Sequence, residues 1–125
     1  MSEPASLLLW RDIVEIADKV CVKYDLTYGS IKPCTNRRYR HYGEAGACPR
    51  CAKSKRIDDA NCKEKVIRIR IHQLNRPNRP LKTTTILDTL AHELAHLRNW
   101  NHGEAHREFQ AEIIDFIKSL GYTVR

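Results

Sequence analysis

A chain of 125 residues, 42% of them hydrophobic, can enclose one modest core but not two. No apolar run approaches the roughly 20 residues that cross a bilayer, and the opening MSEPASLLLW has no basic region and too short an apolar stretch for a secretory leader. An intracellular, non-membrane protein is therefore expected, cytoplasmic or, in a eukaryote, nuclear. The net charge of +7 is concentrated: Arg37 to Lys82 holds 14 Lys and Arg against 4 Asp and Glu, a local +10 that leaves the remainder at −3. Such a block suits a polyanionic partner such as nucleic acid, or simply solubilises a surface.

Taken in chain order, Ser6 to about Tyr24 reads as an amphipathic helix, because Leu9, Ile13, Ile16, Val20 and Tyr24 recur at spacings of three and four. Cys21 lies near that apolar stripe and is expected to act as a small core residue. Between Ile31 and Lys63 neither a helical nor a strand period is present, and a structureless loop of that length is improbable in so small a domain. Something must order it. Cys34, Cys48, Cys51 and Cys62 offer the means, since four thiolates around the Cys48-Pro49-Arg50-Cys51 knuckle would close a structural zinc site. The alternative is a set of reduced, partly buried thiols. Five cysteines are an odd count and poor disulfide material in a reducing compartment.

The same segment carries Arg37-Arg38-Tyr39-Arg40-His41-Tyr42, with Arg50, Lys53, Lys55 and Arg56 close by. Guanidinium and ammonium groups neutralise phosphates while tyrosines stack on unpaired bases. Arg37, Arg38, Tyr39, Arg40, Tyr42, Lys53, Lys55 and Arg56 are thus candidate contacts for DNA, single strands included, bound without sequence preference.

Lys65 to His72 alternates, with Ile67, Ile69 and Ile71 on one face and Arg68, Arg70 and His72 on the other. It predicts a strand whose edge an extended substrate could pair with. After the turn-rich Arg76-Pro77-Asn78-Arg79-Pro80, Thr85-Ile86-Leu87-Asp88 resembles a capping box opening a helix that runs to about Asn99. A last helix, about Glu104 to Leu120, buries Phe109, Ile113, Phe116, Ile117 and Leu120 and stops at Gly121.

The first of these two helices holds His92-Glu93-Leu94-Ala95-His96, an HExxH motif, and His102 follows it. Residues four apart on a helix differ by about 40° of azimuth, so His92 and His96 grip one metal ion from one face. Glu93 sits beside the metal rather than on it, free to act as general base toward a zinc-activated water. Three protein ligands and an open fourth position are what a catalytic zinc requires. The third ligand is either His102, delivered by the tight His102-Gly103 turn, or His106. Surface positions suit His41 and His72.

The run Asp88-Thr89-Leu90-Ala91-His92-Glu93-Leu94-Ala95-His96, with His102-Gly103, resembles the "TLxHExxH…HG" pattern of the SprT-like metallopeptidases, which include Spartan, and of the related WLM and other minigluzincin families. The likeness covers about Val66 to Phe109. It implies a small α+β metalloprotease, with His92, His96 and His102 as zinc ligands and Glu93 as the catalytic base, degrading proteins bound or crosslinked to DNA. In that family the accessory zinc element usually follows the catalytic helix; here the cysteines precede it.

Together these readings predict one α+β domain over residues 1–125. It would comprise an N-terminal helix, a short antiparallel sheet, the HExxH helix and a C-terminal helix, with residues 31–63 as an inserted basic zinc-knuckle segment. It would carry one catalytic and one structural Zn2+, act as a monomer on protein or peptide substrates, and associate with DNA. Two other readings fit the same residues: a zinc-stabilised nucleic-acid-binding module without turnover, and a zinc peptidase whose basic surface recruits an acidic protein.

Overall fold

The computed structural model describes residues 10–33, 43–46, 64–71, 81, 83–99 and 102–122. Among these residues three helices, α1 (Trp10–Tyr24), α2 (Thr83–Ala95) and α3 (Glu104–Ser119), enclose the core with a three-stranded sheet of β1 (Ser30–Pro33), β2 (Gly43–Gly46) and β3 (Val66–Ile69). No helix among the described residues is long and apolar enough to cross a membrane. The α+β expectation holds, but the sheet is mixed. Its order is β1-β3-β2, with β1 parallel to β3 (Ser30 opposite Val66) and β2 antiparallel to it (Gly43 opposite Ile69).

β3 is therefore the central strand, hydrogen-bonded on both sides, and this corrects the expectation that its edge is open to a substrate. Centrality also explains its burial. Ile67 and Ile69 are fully buried as the alternation predicts, yet Val66 is also buried, as are Lys65 and Arg70 on either side of the strand. Beyond it, the Leu81 N–H returns to the Ile71 carbonyl at 2.7 Å, which brings the chain back to the sheet just before α2.

α2 is the element on which the others pack, touching α3, α1, β2 and β3. Ile86, Leu87, Leu90, Ala91 and Leu94 all lie within the core, facing Ile13, Ile16 and Val20 of α1 and Phe109, Ile113 and Ile117 of α3. Burying one such leucine or isoleucine contributes about 1.5–3 kcal/mol, so this apolar seam rather than helix propensity holds α2 in place. The helix starts before the expected capping box: Thr85 lies inside it, and its carbonyl accepts from Thr89 Oγ1 at 2.9 Å. The regular helix also stops earlier than expected, at Ala95, and a tight turn carries the chain to Asn99.

α1 begins at Trp10, residues 6–9 of the expected helix lying outside the described ones. It ends in a Schellman turn, with the Leu26 N–H on the Cys21 carbonyl at 2.9 Å and Asp25 in the left-handed region at φ 56°. A second tie comes from the far side of the molecule. Arg98, just past α2, donates to the Tyr24 carbonyl at 2.7 Å while its guanidinium lies 4.0 Å from the centre of the Phe109 ring. Tyr24 and Phe109 meet edge to face at 5.1 Å, so one arginine joins the ends of α1, α2 and α3. α3 stops as expected, with Leu120 as its cap and Gly121 at φ 100°.

The left-handed Asp25 offers a direct test. Glycine adopts that conformation without the Cβ penalty, so Asp25→Gly should raise unfolding free energy in urea by about 0.5–1 kcal/mol. A β-branched residue cannot relax there, and Asp25→Val should lower it by about 1–2 kcal/mol.

Candidate metal centre

The last turn of α2 and the first turns of α3 bring four imidazoles together. His96 and His106 are buried, His92 is half-buried and His102 is exposed. Ring nitrogens of His92, His96 and His106 lie within 4.8 Å of one another, close enough to hold one metal ion. His102 enters from the turn before α3, its Nε2 only 3.1 Å from His92 Nε2, and His96 Nε2 lies 3.3 Å from that same atom. Two nitrogens bound to one zinc at 2.0–2.1 Å in tetrahedral array stand about 3.3–3.4 Å apart. Both separations at His92 Nε2 are close to that spacing, and the nitrogens of His92, His96 and His106 could together hold a metal ion.

The proton positions follow from the partners. His92 Nδ1 lies 2.9 Å from Gln110 Oε1, an atom that can only accept, so the ring donates from Nδ1 and keeps its lone pair at Nε2. His106 behaves in the opposite sense. Its Nε2 lies 3.1 Å from the main-chain carbonyl of His92, so the proton sits on Nε2 and that nitrogen is committed to the helix. Burial lowers the pKa of His106, and charge on His92 and His102 would lower it further, outweighing the carbonyl bond that raises it. Burial thereby favours the neutral ring.

These contacts also finish the helix. A helix that stops leaves its last carbonyls short of regular partners. Here Glu93, Leu94 and Ala95 accept from the N–H groups of His96, Leu97 and Arg98 at 3.2, 3.0 and 3.2 Å. Ala95 accepts again from Asn99 at 3.0 Å. His106 supplies a lateral donor one turn higher, at His92.

Glu93, next to His92 on α2, is only 5% exposed. The element over it is β2. A Cβ built on Gly43 would lie 3.1 Å from Glu93 Cγ and 2.6 Å from Thr89 Cγ2, so the strand reaches α2 only because residue 43 has no side chain.

No family model and no curated protein matches the sequence. Solved structures do match in three dimensions. The crystal structure of Wss1 from Saccharomyces cerevisiae superposes with a TM-score of 0.65 at 16% identity, covering 89% of this chain and 77% of that one. The chain has the Wss1 fold. A structure of a Wss1 mutant from the same organism agrees, with a TM-score of 0.66 at 15% identity over 90% of this chain and 80% of its own. The fold likeness supports the resemblance carried by the histidine motif.

Of the residues singled out from sequence, His92, Glu93, His96, His102 and His106 all converge here. Cys34, Cys48, Cys51 and Cys62 lie outside the described residues, as do His41, His72 and Arg37, Arg38, Tyr39, Arg40, Tyr42, Lys53, Lys55 and Arg56. Cys21 is half-buried against the core as expected, its thiol pushed up to about 11 by burial and, secondarily, by Asp18. It packs rather than reacts.

Sequence reasoning missed Gln110, Gly43 and Arg98. Gln110 was within reach, since it stands one helical turn after His106 and so shares its face. The Gly43 contact is tested by a pair of substitutions. Gly43→Ala should cost about 1–3 kcal/mol in urea unfolding, the usual penalty of overpacking. Gly46→Ala, at the other end of β2 with no described atom within 4 Å, should be close to neutral.

Proposed function

We propose that this chain is a zinc-dependent endopeptidase that acts on proteins bound or crosslinked to DNA. The observation that carries the reading is the convergence of imidazole nitrogens at His92 Nε2, one residue from a buried glutamate, on a Wss1 fold. His92, His96 and His102 would hold the ion through Nε2. His102 leads as third ligand because its Nε2 stands 3.1 Å from His92 Nε2; His106, whose Nε2 is bonded to the His92 carbonyl, keeps a free Nδ1 and is the alternative third ligand. Zinc held there supplies Lewis acidity, acidifying water toward neutral pH and polarising a peptide carbonyl.

The protein's own part in hydrolysis falls to Glu93. A carboxylate fixed between α2 and β2 can take the proton of the attacking water as its oxygen bonds to the carbonyl carbon. It then returns that proton to the amine nitrogen as the C–N bond breaks, so the carboxylate is regenerated. Burial matters here because a mobile, hydrated carboxylate would be positioned less often for either transfer.

The DNA aspect rests on the SprT and WLM resemblance and on the basic block from Arg37 to Lys82. In this reading residues 31–63 form an insertion within a single domain, braced by a second zinc on Cys34, Cys48, Cys51 and Cys62. Arg37, Arg38, Tyr39, Arg40, Tyr42, Lys53, Lys55 and Arg56 face phosphates and unpaired bases. Such a protein would work inside the cell as a monomer.

Glu93→Gln should reduce hydrolysis by about 100- to 10,000-fold while the zinc content of the histidine site stays at the parent level. Retained activity would remove Glu93 from the reaction. Metal analysis addresses the insertion: a second zinc per chain, lost when Cys48 and Cys51 are both replaced, supports the knuckle, and an unchanged zinc content refutes it. DNA dependence is read from cleavage of a DNA-crosslinked protein with and without free DNA. Equal cleavage in both would leave a peptidase without a DNA role.

A further inference from the structure

His92 is held at two points, its main-chain carbonyl and its ring, and both holds come from α3. His106 and Gln110 are one helical turn apart and reach the same residue, His106 at its main-chain carbonyl (3.1 Å) and Gln110 at its ring Nδ1 (2.9 Å). The first contact fixes where the Cα of His92 stands; the second fixes how its ring is turned. We propose that Gln110 is a positioning residue that sets the tautomer and orientation of His92, so that its Nε2 lone pair faces the metal site before any ion arrives.

A neutral imidazole carries one proton, and the two tautomers are close in energy in water. Only the form protonated at Nδ1 can ligate through Nε2, the atom on which His96 and His102 converge at 3.3 and 3.1 Å. The Gln110 oxygen selects that form, since an amide oxygen opposite Nδ1 accepts a hydrogen bond from its N–H and repels a lone pair. Turning the ring away would break this bond. α2 and α3 are packed along their length by fully buried Leu90, Leu94 and Ile113, so the acceptor cannot drift from the ring. A partner on the far nitrogen of a metal-bound histidine typically carries a 10- to 100-fold share of metal affinity.

This inference rests on the histidine site holding a metal, but its test does not use hydrolysis. Zinc affinity is measured on the full chain by competition with a chromophoric chelator. Gln110→Ala should weaken binding by about 10- to 100-fold with unchanged circular dichroism. Gln110→Glu, whose carboxylate also accepts from Nδ1, should restore affinity to near the parent value. A long-range 1H–15N correlation spectrum of the zinc-loaded parent should show His92 protonated at Nδ1.

Unchanged affinity in Gln110→Ala overturns the inference while leaving the peptidase proposal standing, and a His92 proton at Nε2 does the same. Equal weakening in both variants also overturns it, because the glutamine would then matter only for packing. Zinc binding that depends on Gln110 in a chain that cleaves nothing supports the inference and removes the peptidase instead.

Discussion

The structure turns on how α2 comes to an end. An α-helix that stops inside a protein exposes carbonyls that must find donors, and α2 must stop without disturbing the two histidines in its final turns. The chain meets both needs with one arrangement. The turn after Ala95 tightens, supplying main-chain donors to Glu93, Leu94 and Ala95, and His106 crosses from α3 to the carbonyl of His92. A site residue thus terminates the helix that carries the site. The packing of α2 against α3 and the geometry of the imidazole cluster are for this reason one constraint rather than two.

A similar economy operates on the other face. Glu93 has no room to wander because β2 lies directly against α2, and β2 lies there because Gly43 lacks a side chain. The sheet is small, with four residues in each strand, and its value is positional. β3 is anchored by fully buried Ile67 and Ile69, and it holds β2 in register from Gly43 opposite Ile69 to Gly46 opposite Val66. The imidazole cluster and the covered carboxylate thus stand at adjacent positions of one helix.

Much of this was legible in the chain itself, and the reasons differ by element. The two C-terminal helices and the histidine cluster follow from short-range periodicity, since HExxH spacing and the Phe109, Ile113, Ile117 stripe need only helical geometry to be interpreted. β3 declared itself by alternation, but not its place at the centre. Flanking Lys65 and Arg70 suggest a solvated face, yet both are buried beside a strand that pairs on both sides with segments 20 or more residues away in sequence. β2, with the sequence Gly-Glu-Ala-Gly, has no strand propensity at all and exists because β3 is there to pair with. The bond from His106 Nε2 to the carbonyl of His92 was equally hidden. Spacing places a ring near a site; it does not say which atom faces inward.

Arg98 deserves a last consequence. It sits in the turn between His96 and His102, and its bond to the Tyr24 carbonyl and its stacking on Phe109 moor that turn to the rest of the molecule. Small zinc-folded modules gather their ligands only when the ion binds, and come apart when it leaves. Here the ligand-bearing turn is pinned by contacts that involve no metal, and the apolar seam of α2 is complete without one. The ordering entropy of the site is met during folding, so an ion would find a finished socket. An ion held there could leave without the fold unravelling, and metal and fold would then be lost at different thresholds.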